Sequence, residues 1–252
     1  MGKIRIIAHS NEPFQDRSEA GRLLARELKA LKREDAVVLG IPRGGIVLAK
    51  EISFRLNCVL DVVFSRKMGA PGNPELAIGA IGEEGKACSN KDLVNSLGVD
   101  SAYLEQEKNT QLSLIKLRAR EYRKIIPKIS LKGKTAIVVD DGVATGATIE
   151  SALLAMAQES PQKLIAALPV GPPDTIERLS EYADEIICLR APDFFGAISQ
   201  FYNEFFQVED VEVIKILQEE AQRRKSVATR NKFQKKLKIL RIAQNQVKSK
   251  PR

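Results

Sequence analysis

The chain has a single histidine, His9, only three cysteines, and no apolar run approaching the roughly 18–20 residues that cross a bilayer. Each scarcity removes a class of chemistry. One histidine near the N-terminus leaves no basis for a Ser–His–Asp or Cys–His mechanism, and neither a Gly-x-Ser-x-Gly nor a His-Glu-x-x-His pattern occurs. Cys58, Cys88 and Cys188 lack the paired spacing of a metal site, and Cys58 and Cys188 fall in apolar, strand-like runs. Buried thiols in a reducing compartment are expected. With no leader-like apolar core behind Met1, a soluble, cytoplasmic protein without a membrane partner is expected. The chemistry must rest on carboxylates, cations and backbone groups.

Charge is unevenly spread. The chain has 252 residues, 44% of them hydrophobic, enough to bury a full α/β core. Its net charge of +8 comes from the C-terminal segment: residues 221–252 hold 12 Lys and Arg and no Asp or Glu. Residues 1–220 carry 28 basic against 32 acidic residues. We therefore read residues 1–220 as one domain and 221–252 as a basic tail, helical and solvated, with disorder from Val247 onward.

The rest of the chain is organised around Ala136-Ile137-Val138-Val139-Asp140-Asp141-Gly142-Val143-Ala144-Thr145-Gly146-Ala147-Thr148. An apolar β-branched run bounded by turn residues suits a strand buried on both faces. Asp140 and Asp141 then lie at its carboxyl end, where open α/β sheets bind ligands. Small residues from Gly142 to Ala147 allow close backbone approach, and a helix starting near Gly146 directs its partly positive end the same way. Thr145 and Thr148 add hydroxyl donors. A phosphate cradle beside two carboxylates suits a sugar phosphate. The plainer reading is a strand–turn–helix with a capping Asp. No Lys follows Gly146, so this is not a Walker A loop.

Before this motif, Ile4–Ile7 reads as a short edge strand. A helix runs from Asp16 to about Lys32, opened by Asp16 and Glu19 in a capping-box arrangement. Ala36–Gly40 is a buried strand leading through Ile41-Pro42-Arg43-Gly44-Gly45 into a helix over Ile46–Leu56. Glycines that expose N–H groups beside a fixed guanidinium make a second anion-binding geometry. Val59–Ser65 is a strand, and Arg66 to Glu75 reads as a Gly/Pro-rich mobile loop. A hairpin over Leu76–Ile81 and Lys86–Ser89 follows. Ala102–Ile126 is a long helix stopped by Pro127, with Lys116, Arg118, Arg120, Arg123 and Lys124 read as its solvated face.

After the motif, Lys163–Val170 and Glu185–Leu189 are strands around a helix over Asp174–Tyr182, an alternation that indicates a parallel sheet with helices on both faces. Residues 191–206 hold six of the thirteen aromatics, either core over the sheet edge or a stacking hood for a flat ligand. Asp210–Gln218 is a short amphipathic helix.

The run, acid pair and loop resemble the phosphoribosyl-diphosphate (PRPP) motif of the type I phosphoribosyltransferases. Further similarity lies in Asp16-Arg17-Ser18-Glu19-Ala20-Gly21-Arg22, in Ile41 to Gly45, and in the stretch from Arg66 to Ala80. Together these look like phosphoribosyltransferases of unassigned acceptor. The resemblance implies a doubly wound, mainly parallel α/β sheet with a small hood and a flexible β-hairpin loop. It implies transfer of a 5-phosphoribosyl group from PRPP to a nitrogen acceptor such as a nucleobase, with release of pyrophosphate, dependence on Mg²⁺, and a homodimer.

By position, Asp140 and Asp141 take the ribose hydroxyls, and also Mg²⁺ through PRPP. Ala144, Thr145, Gly146, Ala147 and Thr148 take the 5′-phosphate. Arg43, Gly44 and Gly45 take pyrophosphate, with a cis Pro42–Arg43 peptide expected. Arg66 and Lys67 neutralise the diphosphate, and Phe194, Phe195 and Tyr202 form the acceptor hood. Hypoxanthine-guanine enzymes carry a carboxylate where Ala144 stands, as adenine-type loops do not, so Glu75 becomes the candidate general acid/base. A second function class is a PRPP-sensing regulator that binds nucleic acid through the tail, although the tail has no helix-turn-helix or aromatic-interleaved pattern. Diphosphate transfer of the PRPP-synthetase kind lacks a visible ATP site.

Overall fold

The computed structural model describes residues 1–31, 35–227 and 229. In chain order its elements are β1 (Lys3–Ala8), α1 (Arg17–Glu27), β2 (Ala36–Gly40), α2 (Gly44–Leu56), β3 (Val59–Val62), β4 (Ser65–Ala70), β5 (Asn73–Gly82), β6 (Ala87–Ser89) and α3 (Lys91–Ser96). There follow α4 (Ser101–Arg123), β7 (Thr135–Val139), α5 (Ala147–Ala157), β8 (Lys163–Val170), α6 (Pro173–Leu179) and β9 (Glu185–Arg190). A last helix, α7, covers residues 210–227.

Six parallel strands form the main sheet in the order β1-β9-β8-β7-β2-β3. The β-branched run of β7 is buried throughout because it lies between β2 and β8. Alternate side chains face opposite layers. Ile137 and Val139 pack with Leu24 of α1 and Ile52 of α2, whereas Ala136 and Val138 pack with Ile149 of α5 and Ile176 of α6. This is the doubly wound arrangement expected. The order reverses between β2 and β7, and Gly40 pairs with Val139, which pairs with Ala167. The loops leaving β2 and β7 therefore emerge side by side at one level, at the point where such sheets bind ligands.

Residues 66–75 are not the loop that their Gly and Pro content suggests. Arg66–Ala70 lies in β4, paired antiparallel with β5 and turned at Pro71-Gly72, where Gly72 has φ 73°. Arg66 is exposed at the start of the strand while Met68, Gly69 and Ala70 are buried, a strand hidden in sequence by Gly69 and Pro74. A Cβ on Gly69 would lie 2.8 Å from the Cα of Pro74, so the glycine permits this crossing at a bulge. With β6, these strands make a three-stranded antiparallel sheet. The short helix α3, capped by Asn90 through the Leu93 N–H, is absent from the sequence reading.

Two cationic groups expected to be solvated are structural. Arg123 ends α4 with its side chain 14% exposed, bonded to Asp61 of β3 and to Glu83 in the β5–β6 turn. The helix expected over Asp210–Gln218 runs on to residue 227, so the boundary placed at 220 falls inside it. The reason lies at the sheet edge. Leu60 of the edge strand β3 donates its N–H to buried Glu220, while Arg223 and Arg224 donate to the carbonyls of Cys58 and Leu60. Side chains of α7 thus satisfy backbone groups that an open edge leaves unpaired. The rest of the basic tail lies outside the described residues. Among the described residues, no helix is long and apolar enough to cross a membrane. Cys58 and Cys188 are buried.

Candidate active site

Asp140 and Asp141 follow the last residue of β7 and stand half-buried at its carboxyl end. The Asp141 N–H donates to Asp140 Oδ1 at 2.9 Å, which turns the first carboxylate over the second residue's backbone. Burial and the neighbouring Asp141 charge push the Asp140 carboxyl well above the ordinary range, against the opposing pull of the Asp141 N–H and Arg17. An acid held this way is a common mark of a functional position.

The loop after β2 closes over this pair. Its Pro42–Arg43 peptide is cis, as expected. A Cβ on Gly44 would sit 1.9 Å from Asp141 Oδ2, and one on Gly45 would sit 2.5 Å from the Val139 carbonyl. Only glycine lets α2 begin against the acids. Arg43 stands at the start of α2 with its side chain 31% exposed, 3.3 Å from Glu209.

On the other side, the loop from Gly142 to Gly146 leads into α5. Gly142 has φ 155° and Gly146 φ 84°, conformations that favour glycine. Helix α6 grips the loop from behind: Thr175 donates to the Ala144 carbonyl at 3.0 Å, and Arg178 to the Thr145 carbonyl at 2.5 Å. Ala144, Thr145, Ala147 and Thr148 remain exposed. The first-turn N–H groups of α5, which have no intrahelical acceptor, lie beside these exposed residues because the helix begins at Ala147.

The small sheet brings Arg66, Lys67 and Glu75 to the start of α5. They line a cavity of about 380 Å³ together with Ala147, Thr148 and Ser151 of α5. A smaller cleft joins Pro42, Arg66, Arg118 and Thr148. Helix α4 holds β4 in place through Tyr103 to the Gly69 carbonyl and through Gln111, which accepts from Arg66 at 2.5 Å. Lys67 and Glu75 pair with each other at 2.7 Å, with Glu75 88% exposed. A cavity of about 530 Å³ at the opposite end of the sheet is lined by Met1, Lys3 and Asp184 and meets none of these residues.

The aromatic segment divides. Tyr202 is buried, its ring between Phe14 and Phe205 at centroid distances of 5.4 and 4.9 Å, and its hydroxyl donates to the Asp141 carbonyl at 2.7 Å. Burial first, then the Asp141 charge, pushes this phenol up, so it stays protonated as a donor. Its ring is core and offers no open face. Phe195 is stacked on Phe201 at 5.2 Å. Phe194 is 85% exposed.

One site residue escaped sequence reasoning. Arg17 donates through Nε to Asp141 Oδ2 at 2.7 Å, 124 residues away in the chain. The only signal was its place in the Asp-Arg-Ser-Glu-Ala-Gly-Arg stretch. As to a metal, Asp140 and Asp141 supply hard oxygen donors that suit Mg²⁺. Among the described residues, no group of three or more His, Cys, Asp and Glu gathers to hold an ion unaided, so an ion here would draw further oxygens from a bound ligand.

Comparison with known proteins places the chain in a family. A crystal structure of the protein TT1426 from Thermus thermophilus is 45% identical, with a TM-score of 0.77 over 82% of this chain and 98% of that one. Two Mycobacterium tuberculosis proteins, from strains H37Rv and CDC 1551, are provisionally named phosphoribosyl transferases and are 42% identical over 204 residues. That match covers 81% of this chain but 46% of theirs, so the chain spans about half the length of these curated relatives. The family model described as the phosphoribosyl transferase domain matches residues 15–205, and the chain belongs to that family.

Proposed function

We propose that the chain transfers a 5-phosphoribosyl group from PRPP to a nitrogen acceptor, a nucleobase being the leading class, and releases pyrophosphate. The observation that carries this reading is that three parts meet at the adjoining carboxyl ends of β2 and β7. These are the acid pair after β7, the Gly44-Gly45 loop packed on it, and the exposed Ala144–Thr148 turn at the start of α5.

In this reading the Asp140 and Asp141 carboxylates accept hydrogen bonds from the ribose hydroxyls. The α5 N–H groups and the Thr145 and Thr148 hydroxyls hold the 5′-phosphate. The bond from ribose C1 to the diphosphate oxygen breaks as the bond to the acceptor nitrogen forms. Negative charge then grows on the departing diphosphate, where Arg43, the Gly44 and Gly45 backbone, Arg66 and Lys67 oppose it. Mg²⁺, held by PRPP oxygens and the acid pair, would add charge neutralisation at the diphosphate and ribose. Positioning supplies much of the remainder. Glu75, released from Lys67 when the diphosphate takes that lysine, would accept the acceptor's proton. Phe194 and Phe195 would lie toward the acceptor, with Tyr202 supporting them from the core.

Calorimetric titration with PRPP and Mg²⁺ tests the site. Wild type should bind, and Asp140→Asn/Asp141→Asn should lose binding. Asp140→Asn alone should melt no lower than wild type, because it removes a carboxylate whose ionised form burial disfavours. No binding by folded wild type would end the reading. With an accepted base found, Glu75→Gln should lower kcat by about 10²-fold or more. An unchanged kcat/KM would remove Glu75 from the mechanism.

A further inference from the structure

We infer that Arg17 is a positioning residue for Asp141, and that it gives the two adjacent acids different duties. The inference rests on the PRPP reading above. Asp16 caps α1 by accepting from the Glu19 N–H at 2.7 Å, and Glu19 reaches back to the Gln15 N–H at 2.5 Å. The first turn is thereby fixed, and Arg17, its first residue, points to the sheet end rather than to solvent. Its side chain is 11% exposed and that of Asp141 15%.

Three contacts hold the guanidinium. Nε donates to Asp141 Oδ2 at 2.7 Å, one terminal nitrogen donates to the Phe206 carbonyl at 2.7 Å, and the group lies 3.8 Å above the Phe205 ring. A Cβ on Gly44 would meet Arg17 Nε at 3.1 Å as well as Asp141 Oδ2, so the pair lies directly beneath the loop. Asp141 is also held at its carbonyl by the Tyr202 hydroxyl. It is thus tied by α1 and by residues 202–206, two segments that flank it from opposite ends of the domain sequence.

Among the described residues Asp140 has no such tie; it accepts the Asp141 N–H. One carboxylate is therefore locally neutralised and fixed in orientation, with Oδ1 left to receive a hydroxyl. The other is held through the Asp141 N–H and stays available to the ligand. A planar guanidinium suits the first task because its nitrogens serve Asp141 and Phe206 at once while its face rests on Phe205. Arg17 touches no reacting atom; it acts through Asp141.

Mutant cycles on PRPP affinity, with Mg²⁺ present and melting temperatures recorded for every variant, test this. Arg17→Gln should weaken PRPP binding by about 10–100-fold, as loss of a group that orients a ligand-binding side chain does. Arg17→Lys should recover part of that loss by restoring charge without the fork, and it keeps the test open if glutamine loosens the fold. The loss from Arg17→Gln should not multiply with that from Asp141→Asn, because both remove one interaction, but should multiply with that from Asp140→Asn. A simple structural role would lower stability without this selective coupling. The inference is overturned if wild type binds PRPP and Arg17→Gln binds it equally well, or if its loss multiplies equally with both acids. If wild type binds no PRPP, the reading beneath it has failed instead.

Discussion

A Gly44→Ala protein is expected to fold and to bind PRPP about 5- to 150-fold more weakly than wild type. The added methyl group would lie 1.9 Å from Asp141 Oδ2 and 2.5 Å from its Cγ, so one of them must move. Asp141 has little freedom to do so. Arg17 fixes its carboxylate, Phe205 and Phe206 fix Arg17, and Tyr202 fixes its carbonyl. Forcing an extra methyl group into packed surroundings costs about 1–3 kcal/mol, and that cost falls on the acid proposed to take the ribose and on the loop proposed to take pyrophosphate. The corresponding range in affinity is about 5- to 150-fold. Calorimetry together with a melting curve reads the effect. Wild-type affinity in a folded Gly44→Ala protein would mean that PRPP does not use Asp141 in the geometry seen here.

Arg123→Met should cost the most stability of any single substitution on the charged face of α4, about 3–5 kcal/mol. Arg123 donates to Asp61 at 2.5 Å, to Glu83 at 2.7 Å and to the Val62 carbonyl at 3.1 Å. Burial works against its charge, but the Glu83 bonds and the Asp61 charge more than offset this and hold its pKa above the ordinary value. Asp61 is 1% exposed, and its second oxygen accepts the Ile129 N–H at 2.8 Å. Removing the guanidinium leaves a buried carboxylate without its counter-charge, the costly half of a broken ion pair.

The same residue links β3 to the β5–β6 turn, and through it to the sheet that carries Arg66, Lys67 and Glu75. Chemical denaturation should show the loss, and PRPP affinity should fall with it. An Arg123→Met protein within about 1 kcal/mol of wild type would show that Asp61 finds another partner or protonates at little cost. As a control, Arg120→Met on the exposed side of the same helix should change stability by no more than about 0.5 kcal/mol.

Much of the molecule was legible along the chain because the physics there is local. The apolar β-branched runs announced β2, β7, β8 and β9, and the Gly-rich turns after β2 and β7 announced where backbone must pass close to ligand or acid. Asp140 and Asp141 were placed by simple counting from the end of such a run. Gly44 could be singled out, but not the reason for it, which is an Asp141 oxygen nearly a hundred residues further on.

Other features depend on which element a side chain faces, and local preference carries no record of that. Arg123 read as a surface cation on an amphipathic helix and Arg17 only as part of the stretch opening one, yet each meets a half-buried or buried carboxylate supplied by a distant strand. Tyr202 read equally as hood or core until Phe14 and Phe205 enclosed it. Arg66 to Glu75 read as a loop because Gly69 and Pro74 punctuate it, whereas pairing with β5 and burial of Met68 made it a strand. The sequence by itself determined the parallel sheet, the acid pair and the two glycine loops, since strand pattern and turn chemistry are properties of neighbouring residues. Only the tertiary structure decided which cations serve the acids and which aromatics are buried, since a charge or a ring acquires its role from the partners that packing brings to it.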